Sequence, residues 1–163
     1  GSLQPTIYCA VPRLLNKIYD KIMLATIPPA AEKGPPESVG AAIKRRMLTA
    51  AISTKVAALR ADGSCLDHWL WDALLFKKIK TALGMANVRH VVSGGAPLSV
   101  STAEFFKIML GSGTAVHEGY GLTETTGGLS ITETSDKSPS GHVGSVLPCV
   151  EVCLADVPSM EYG

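Results

Sequence analysis

Residues 88–121, VRHVVSGGAPLSVSTAEFFKIMLGSGTAVHEGYG, decide the fold. The opening VRHVVSGG is β-branched and apolar and stops at Ser93-Gly94-Gly95, the pattern of a short buried strand. A loop follows. Ser99 then has the chemistry of a helix N-cap, and Phe105, Phe106, Ile108, Met109 and Leu110 supply the packing side of the helix behind it. TAVHEGYG (114–121) reads as a second strand running into glycines. Strand, loop, helix and strand in that order predict a right-handed parallel β/α unit. Ligands of such sheets bind beyond the carboxyl ends of the strands. Both glycine-rich segments, Ser93–Pro97 and Glu118–Gly128, directly follow a strand, so they are expected on one edge of the sheet.

Working outward, GGLSIT (127–132), GHVGSVLP (141–148) and VEVCLADV (150–157) suggest further β structure, with a strand at 150–157 and a polar loop at Ser135–Ser140. Upstream, TIYCAV (6–11) reads as a buried strand, and Pro12 opens a helix, where its missing N–H costs nothing. Leu14, Leu15, Ile18, Tyr19, Ile22 and Met23 recur at helical spacing after it. Pro28-Pro29 ends that helix, and residues 28–38 read as an exposed loop. Residues 39–60 form an alanine-rich basic helix broken at Asp62-Gly63-Ser64. Asp67 is expected to cap a third helix, which carries Trp69, Leu70, Leu74, Leu75, Ile79 and Leu83 and stops at Gly84. Its two tryptophans are expected in the core. The fold class that follows is α/β: a partial parallel β/α sheet unit with a helical segment and a C-terminal β extension.

At 163 residues, with 46% hydrophobic and 18% charged residues, the chain has material for a real core and no disorder signature. No apolar run reaches the length of a membrane span, and the N-terminus lacks a secretory pattern. Gly1-Ser2 reads as a cloning scar, leaving 3–163 as native chain. The net charge of +1 is unevenly placed: residues 32–90 hold ten bases against five acids, and 91–163 two bases against eight acids. The basic portion suits either an ordinary solvated helix face or an anionic partner such as a membrane surface or phosphate. Nucleic acid is not indicated, since Lys44-Arg45-Arg46 and Lys77-Lys78 lack interleaved stacking aromatics. Cys9, Cys65, Cys149 and Cys153 form no CxxC and no zinc spacing, and read as reduced, buried thiols of an intracellular protein.

The segment EGYGLTETTGG (118–128) has more special residues than a turn requires. Gly119 and Gly121 let Tyr120 stand against a flat ring, Thr123 offers a hydroxyl to a phosphate oxygen, and Glu124 offers a carboxylate to Mg²⁺. That set suits a nucleotide in adenylyl transfer. The alternatives are a structural turn, a core Tyr120 and a helix-capping Glu124. The GxGxxG and GK[ST] patterns are both absent. Spacing alone leaves the choice open.

YGLTET (120–125) resembles the signature of adenylate-forming enzymes, and VVSGGAPLS (91–99) resembles their adenosine-contacting segment. VPRLLNKIYDKI, LWDALLFKKIKTALG, EGYGLTETTGG, GHVGSVLPCVEVCLADV and MEYG are together similar to the long-chain fatty acyl-CoA synthetases, in that family's order. The resemblance implies ATP-dependent activation of a fatty acid to an acyl-adenylate and then to acyl-CoA, with Mg²⁺ and coenzyme A. It implies that Gly94, Gly95, Ala96 and Pro97 lie along the adenosine, with Gly95 closest to the base. Glu118, Gly119 and Tyr120 would flank the adenine, with Gly121 and Leu122 continuing that wall. Thr123 would serve the α-phosphate and Glu124 would ligate Mg²⁺. Gly127 and Gly128 would border the acyl tunnel. His117 and His142 are read as structural, because a carboxylate substrate needs no base.

The family's upstream phosphate loop and its C-terminal domain with the catalytic lysine are not in this sequence. The resemblance therefore implies a central fragment of the large AMP-binding domain, inactive alone and prone to self-associate through uncovered sheet edges. The resemblance also implies an intracellular parent with peripheral membrane association, at the endoplasmic reticulum or similar, whose anchors would lie outside this stretch. A sister ligase for aryl, short-chain or amino acids, and a non-catalytic nucleotide-binding module, are the competing readings.

Overall fold

The structure, a computed structural model, describes residues 3–26, 39–63, 66–136 and 138–156. Three strands run parallel in chain order: β1 (Ile7–Cys9), β2 (His90–Ser93) and β3 (Ala115–Leu122). β4 (Gly127–Ile131) and β5 (Ser145–Val146) then add antiparallel, completing one five-stranded sheet in the order β1-β2-β3-β4-β5. This is the α/β unit with a β extension that the sequence predicts.

Side chains alternate across a strand, and register sorts them into two faces. Tyr8, Val91 and Val116 are partners across β1, β2 and β3 and join the helix-packed core. Their neighbours Ile7 and Cys9 lie exposed on the opposite face, with His90, Val92 and His117 beside them. α1 (Pro12–Thr26), α2 (Val39–Asp62) and α5 (Val100–Leu110) pack on one another. Leu15, Leu48, Ala51, Phe105, Phe106, Ile108 and Met109 form the centre of that packing. α1 opens at Pro12, α2 closes before Gly63 in the left-handed region, and Ser99 caps α5 by accepting the Thr102 amide, each as predicted.

The third helical run is less regular. It comprises α3 (Trp69–Trp71), a π-helical turn (Asp72–Phe76) and α4 (Lys77–Ala82), and it closes in a turn at Gly84 (φ +72°). Its N-cap is His68, not Asp67: His68 accepts the Trp71 amide, while Asp67 receives the amide and hydroxyl of Ser112. Trp71 packs on the core, but Trp69 is 82% exposed, because two positions along a helix are about 200° apart and cannot share a face. The expected strand at 150–157 is not found: residues 150–156 pair with no strand among the described residues, Val150 instead donates to the Leu147 carbonyl, Leu154 faces solvent, and 157 lies outside the described residues. Cys9, Cys149 and Cys153 are exposed rather than buried, since none sits on the core-facing side of an element. Cys65 and the loop at 28–38 lie outside the described residues.

Lys55 is the feature that periodicity missed. It is 2% exposed in the middle of α2. Its ammonium lies 2.5 Å from Asp72 Oδ1, donates to the Ile108 carbonyl at 2.6 Å and stands 4.7 Å from the Phe76 ring centre. Lys80 donates to the Leu110 carbonyl at 2.8 Å. Two cations thus meet the carbonyl end of α5, where the helix dipole is negative. They bind α2 and the π-turn to the helix that connects β2 to β3.

Candidate functional site at the strand edge

β2 and β3 are paired with Ser93 opposite Glu118, so the segments that follow them emerge at one edge of the sheet. The side chain of Glu118 holds them together: its Oε1 accepts the Leu98 amide at 2.9 Å. A Cβ on Gly94 would lie 3.0 Å from the Gly119 carbonyl, so this crossing is as close as two backbones allow. Gly95 follows with φ +83° and open space where a side chain would stand. Ala96 and Pro97 are exposed, whereas Leu98 is buried and anchors the segment. Ser93 is buried with its hydroxyl unpartnered.

The second segment is a hairpin rather than an open loop. Glu118 through Leu122 belong to β3, Thr123–Thr125 form a single 3₁₀ turn, and Gly127 begins β4. Thr126 (φ 59°) and Gly127 (φ 123°) reverse the chain in the left-handed region. Thr125 Oγ1 accepts the Leu122 amide at 3.1 Å and lies 2.9 and 3.0 Å from the Leu122 and Gly127 carbonyls, closing the turn internally. A register shift at Tyr120/Gly121 brings Gly121 so near β4 that an added Cβ would lie 2.7 Å from the Gly127 carbonyl carbon. Gly128 is less confined, facing only the tip of Leu147 at 3.3 Å.

Tyr120 is 48% exposed, and Leu122, Thr123 and Glu124 are exposed beside it. Among the described residues, neither the Tyr120 and Thr123 hydroxyls nor the Glu124 carboxylate has an internal partner. An aromatic face, a hydroxyl and a carboxylate stand in sequence order along one edge, opposite the open Gly95 backbone. These groups fit a nucleotide. A single exposed carboxylate also fits Mg²⁺, which keeps most of its waters and takes few protein ligands. Among the described residues no group of three or more His, Cys, Asp or Glu side chains is placed to hold a metal. Glu118, in contrast, is committed to the Leu98 amide.

Behind the edge runs a chain of hydrogen bonds that the sequence did not reveal. His117 Nδ1 is 2.7 Å from the Thr132 carbonyl, which can only accept, so Nδ1 carries the hydrogen. The Nε2 atom then accepts from His90 Nδ1 at 3.1 Å, with the two rings stacked at 5.4 Å. Thr132 also accepts the Glu118 amide through its hydroxyl at 2.9 Å. His117 is thus held between the Thr132 carbonyl and His90. His142 is held likewise, accepting the Gly144 amide at 3.1 Å and lying 3.5 Å from Asp136. Asp136 is pulled below the usual carboxylate range by the Ser138 amide and hydroxyl, with His142 adding a smaller effect.

A separate cavity of about 480 Å³ lies among α2, α5, β3 and residues 132–142. It touches the edge only through Leu98 and Glu118, and neither Tyr120 nor Gly95 lines it. Arg60 grips Glu104 there with two bonds of 2.8 Å. Burial lowers the pKa of the neighbouring Lys107, against the pull of Asp136, Glu104 and Glu118. Arg60 is thus paired with Glu104, and Lys107 lies within the electrostatic reach of three carboxylates.

Comparison with known proteins identifies relatives along the whole chain. The family model described as AMP-binding enzyme matches residues 2–163. The chain is 42% identical over 160 residues to the peroxisomal long chain acyl-CoA synthetase 7 of Arabidopsis thaliana, covering 98% of this chain and 20% of that protein. It is 40% identical over 161 residues to human long-chain-fatty-acid–CoA ligase 6, covering 99% of this chain and 20% of the relative. Human long-chain-fatty-acid–CoA ligase 1 is 38% identical over 160 residues, with 98% and 20% covered. The chain thus spans about a fifth of the length of the curated relatives it matches. No solved structure matches it.

Proposed function

This chain belongs to the AMP-binding enzyme family, and from that premise we propose that residues 3–163 are part of the AMP-binding domain of a longer long-chain fatty acid–CoA ligase. In the first step a fatty acid carboxylate oxygen attacks the α-phosphorus of ATP, forming acyl-adenylate and releasing pyrophosphate. In the second, the sulfur of coenzyme A attacks the acyl carbonyl and AMP leaves. No covalent bond to the protein forms, so orientation and charge stabilisation carry the catalysis.

The adenosine lies along Gly94–Pro97, with the base near the open Gly95 backbone and Tyr120 stacked on it. Gly119, Gly121 and Leu122 extend the wall, and Glu118 keeps the two segments together. Thr123 donates to the α-phosphate, and Glu124 holds Mg²⁺, which screens the phosphate charge when bound. Gly127 and Gly128, without side chains, leave room for the acyl group. The protein works inside the cell and meets membrane surfaces peripherally, where long-chain substrates are found.

One observation carries this reading: Tyr120, Thr123 and Glu124 stand unpartnered at the same sheet edge as Gly95, with Glu118 bridging the two segments. The test is an AMP titration and a pyrophosphate-exchange assay on the full-length protein. Tyr120→Ala is expected to weaken AMP binding about tenfold or more, the scale of one lost base stack. Glu124→Gln is expected to spare AMP binding while lowering Mg²⁺-dependent exchange. AMP affinity untouched by Tyr120→Ala would remove the assignment. Fatty acids of graded length, run against aryl and short-chain acids, test the substrate class.

A further inference from the structure

One end of the β3–β4 ladder is closed by side chains rather than by backbone. Past the last registered pair there, Gly119 and Ile131, the Thr132 amide donates to the Glu118 carbonyl at 3.0 Å, as an antiparallel ladder requires. The return bond is displaced. The Glu118 amide donates to the Thr132 hydroxyl at 2.9 Å instead of to the Thr132 carbonyl. That carbonyl is taken by His117 Nδ1 at 2.7 Å. An imidazole N–H thus stands in for a backbone N–H at the point where the chain leaves the sheet.

The bond works in one tautomer only. A carbonyl can only accept, so Nδ1 carries the hydrogen and Nε2 is bare. His90 Nδ1 donates to that bare nitrogen at 3.1 Å, from a ring stacked on His117 at 5.4 Å. The other tautomer would lose this donor and set a bare Nδ1 against the lone pairs of the Thr132 carbonyl. His90 therefore fixes both the tautomer and the ring orientation of His117. The pair lies on the sheet face away from the helices, beside Ile7 and the Cys9 thiol of β1, Val92 of β2 and Ile131 of β4. Glu118 and Glu133 line the cavity on the α5 side, and among the described residues no carboxylate pairs with either imidazole.

The residue held by this arrangement is Glu118. Its amide and its carbonyl are both bound by Thr132, and its carboxylate accepts the Leu98 amide that ties down the Gly94–Pro97 segment. Tyr120 follows two residues later on the same strand. Given the nucleotide site proposed above, we propose that His117, held in its tautomer by His90, is a positioning residue of that site: through Thr132 it orients Glu118, and so sets the spacing between the Gly94–Pro97 segment and Tyr120. His117 is 9% exposed and Thr132 half-buried, so removing the imidazole leaves the carbonyl without its donor in a place where water does not readily replace it.

The test is an AMP titration on the full-length protein, with substitutions that replace one ring nitrogen at a time. Asparagine places an N–H near the position of Nδ1, and glutamine places its amide near that of Nε2. His117→Phe keeps the ring and removes the donor, and it should weaken AMP binding about tenfold, the scale of one buried carbonyl left unpaired. His117→Asn restores a donor to Thr132 and should recover most of that loss. His117→Gln reaches toward His90 instead and should not. His90→Phe should weaken binding less than His117→Phe, because it releases the tautomer without removing the donor. Urea unfolding of the same variants reports any general loss of folding, and should His117→Phe not fold, the difference between His117→Asn and His117→Gln carries the test. Tyr120→Ala is the control for the nucleotide site. Weakened AMP binding in Tyr120→Ala beside wild-type binding in His117→Phe would overturn the positioning role and leave the nucleotide site standing. Wild-type binding in both would remove the nucleotide site and this role with it. Equal affinities for His117→Asn and His117→Gln would mean that the ring only fills space, and would likewise overturn the proposal.

Discussion

Replacing one glycine at a time by alanine at Gly121, Gly95 and Gly113 separates three physical causes with one chemical change. At Gly121 the new methyl would lie 2.7 Å from the Gly127 carbonyl carbon and 2.8 Å from Gly128 Cα. Both are backbone atoms and the Gly127 carbonyl oxygen is nearer still, so no rotamer can relieve the clash, and β4 must move outward by well over a few tenths of an ångström. Overpacking of this kind costs about 1–3 kcal/mol, and the rigid obstacle puts Gly121→Ala at the upper end. At Gly95 nothing obstructs the methyl, but φ is +83°. The cost there is backbone strain, about 1–2 kcal/mol. At Gly113 there is neither an obstacle within 4 Å nor a positive φ, so the change should be neutral or stabilise by up to about 1 kcal/mol. Urea unfolding of the full-length protein gives the three stabilities, and an AMP titration gives the three affinities. Gly121→Ala should weaken AMP binding strongly, because moving β4 displaces Tyr120 and the Thr123–Thr125 turn. A Gly121→Ala protein as stable as Gly113→Ala would show that the close approach of β3 and β4 is not as described. An undiminished AMP affinity in that variant would detach the hairpin from nucleotide binding.

Other perturbations probe the frame beneath the site. Lys55→Met keeps the stem of the side chain and removes its charge, leaving Asp72 and the Ile108 carbonyl without their donor; a loss of about 3 kcal/mol is expected by urea unfolding. Adding Asp72→Asn should recover part of that loss, and strict additivity of the two changes would contradict the ion pair. Ser99→Ala removes the acceptor of the Thr102 amide and should cost about 1 kcal/mol, with faster hydrogen exchange in the first turn of α5. The Asp67 carboxyl titrates lower than usual: partial burial opposes this, but the Ser112 hydroxyl and amide outweigh it. Its stabilising contribution is therefore complete above the ordinary aspartate range and is lost as pH falls through the depressed value. Asp67→Asn should flatten the acid limb of the stability profile, and an unchanged limb would rule out that contribution.

The sequence legibly carried the elements whose cause is local. Pro12 and Ser99 mark helix starts by their own chemistry, Gly63 and Gly84 mark helix ends by accepting positive φ, and the Val91–Ser93 run can only be a buried strand. The candidate site was legible for the same reason: its glycines, Tyr120, Thr123 and Glu124 lie within short contiguous stretches, and two strands joined by one helix must present both stretches at one edge.

What failed were readings that depend on a distant partner. VEVCLADV has strand composition, but a strand exists only where another backbone accepts its hydrogen bonds, and no other strand among the described residues does so at 150–156. Asp67 lost the cap to His68 because Ser112, forty-five positions away in the chain, offered it two donors. Trp69 stays out of the core because Trp71, on the opposite side of the same short helix, is the one that packs on it. Periodicity assigns a lysine to the surface, and only the convergence of Asp72, Ile108 and Phe76 makes a buried ammonium tolerable. The sequence by itself determined the elements and the chemistry of the edge, because short-range sterics and side-chain type suffice for both. The tertiary structure alone decided which polar groups meet, because the hydrogen-bond partner of a buried charge is chosen by packing in three dimensions rather than by its neighbours along the chain.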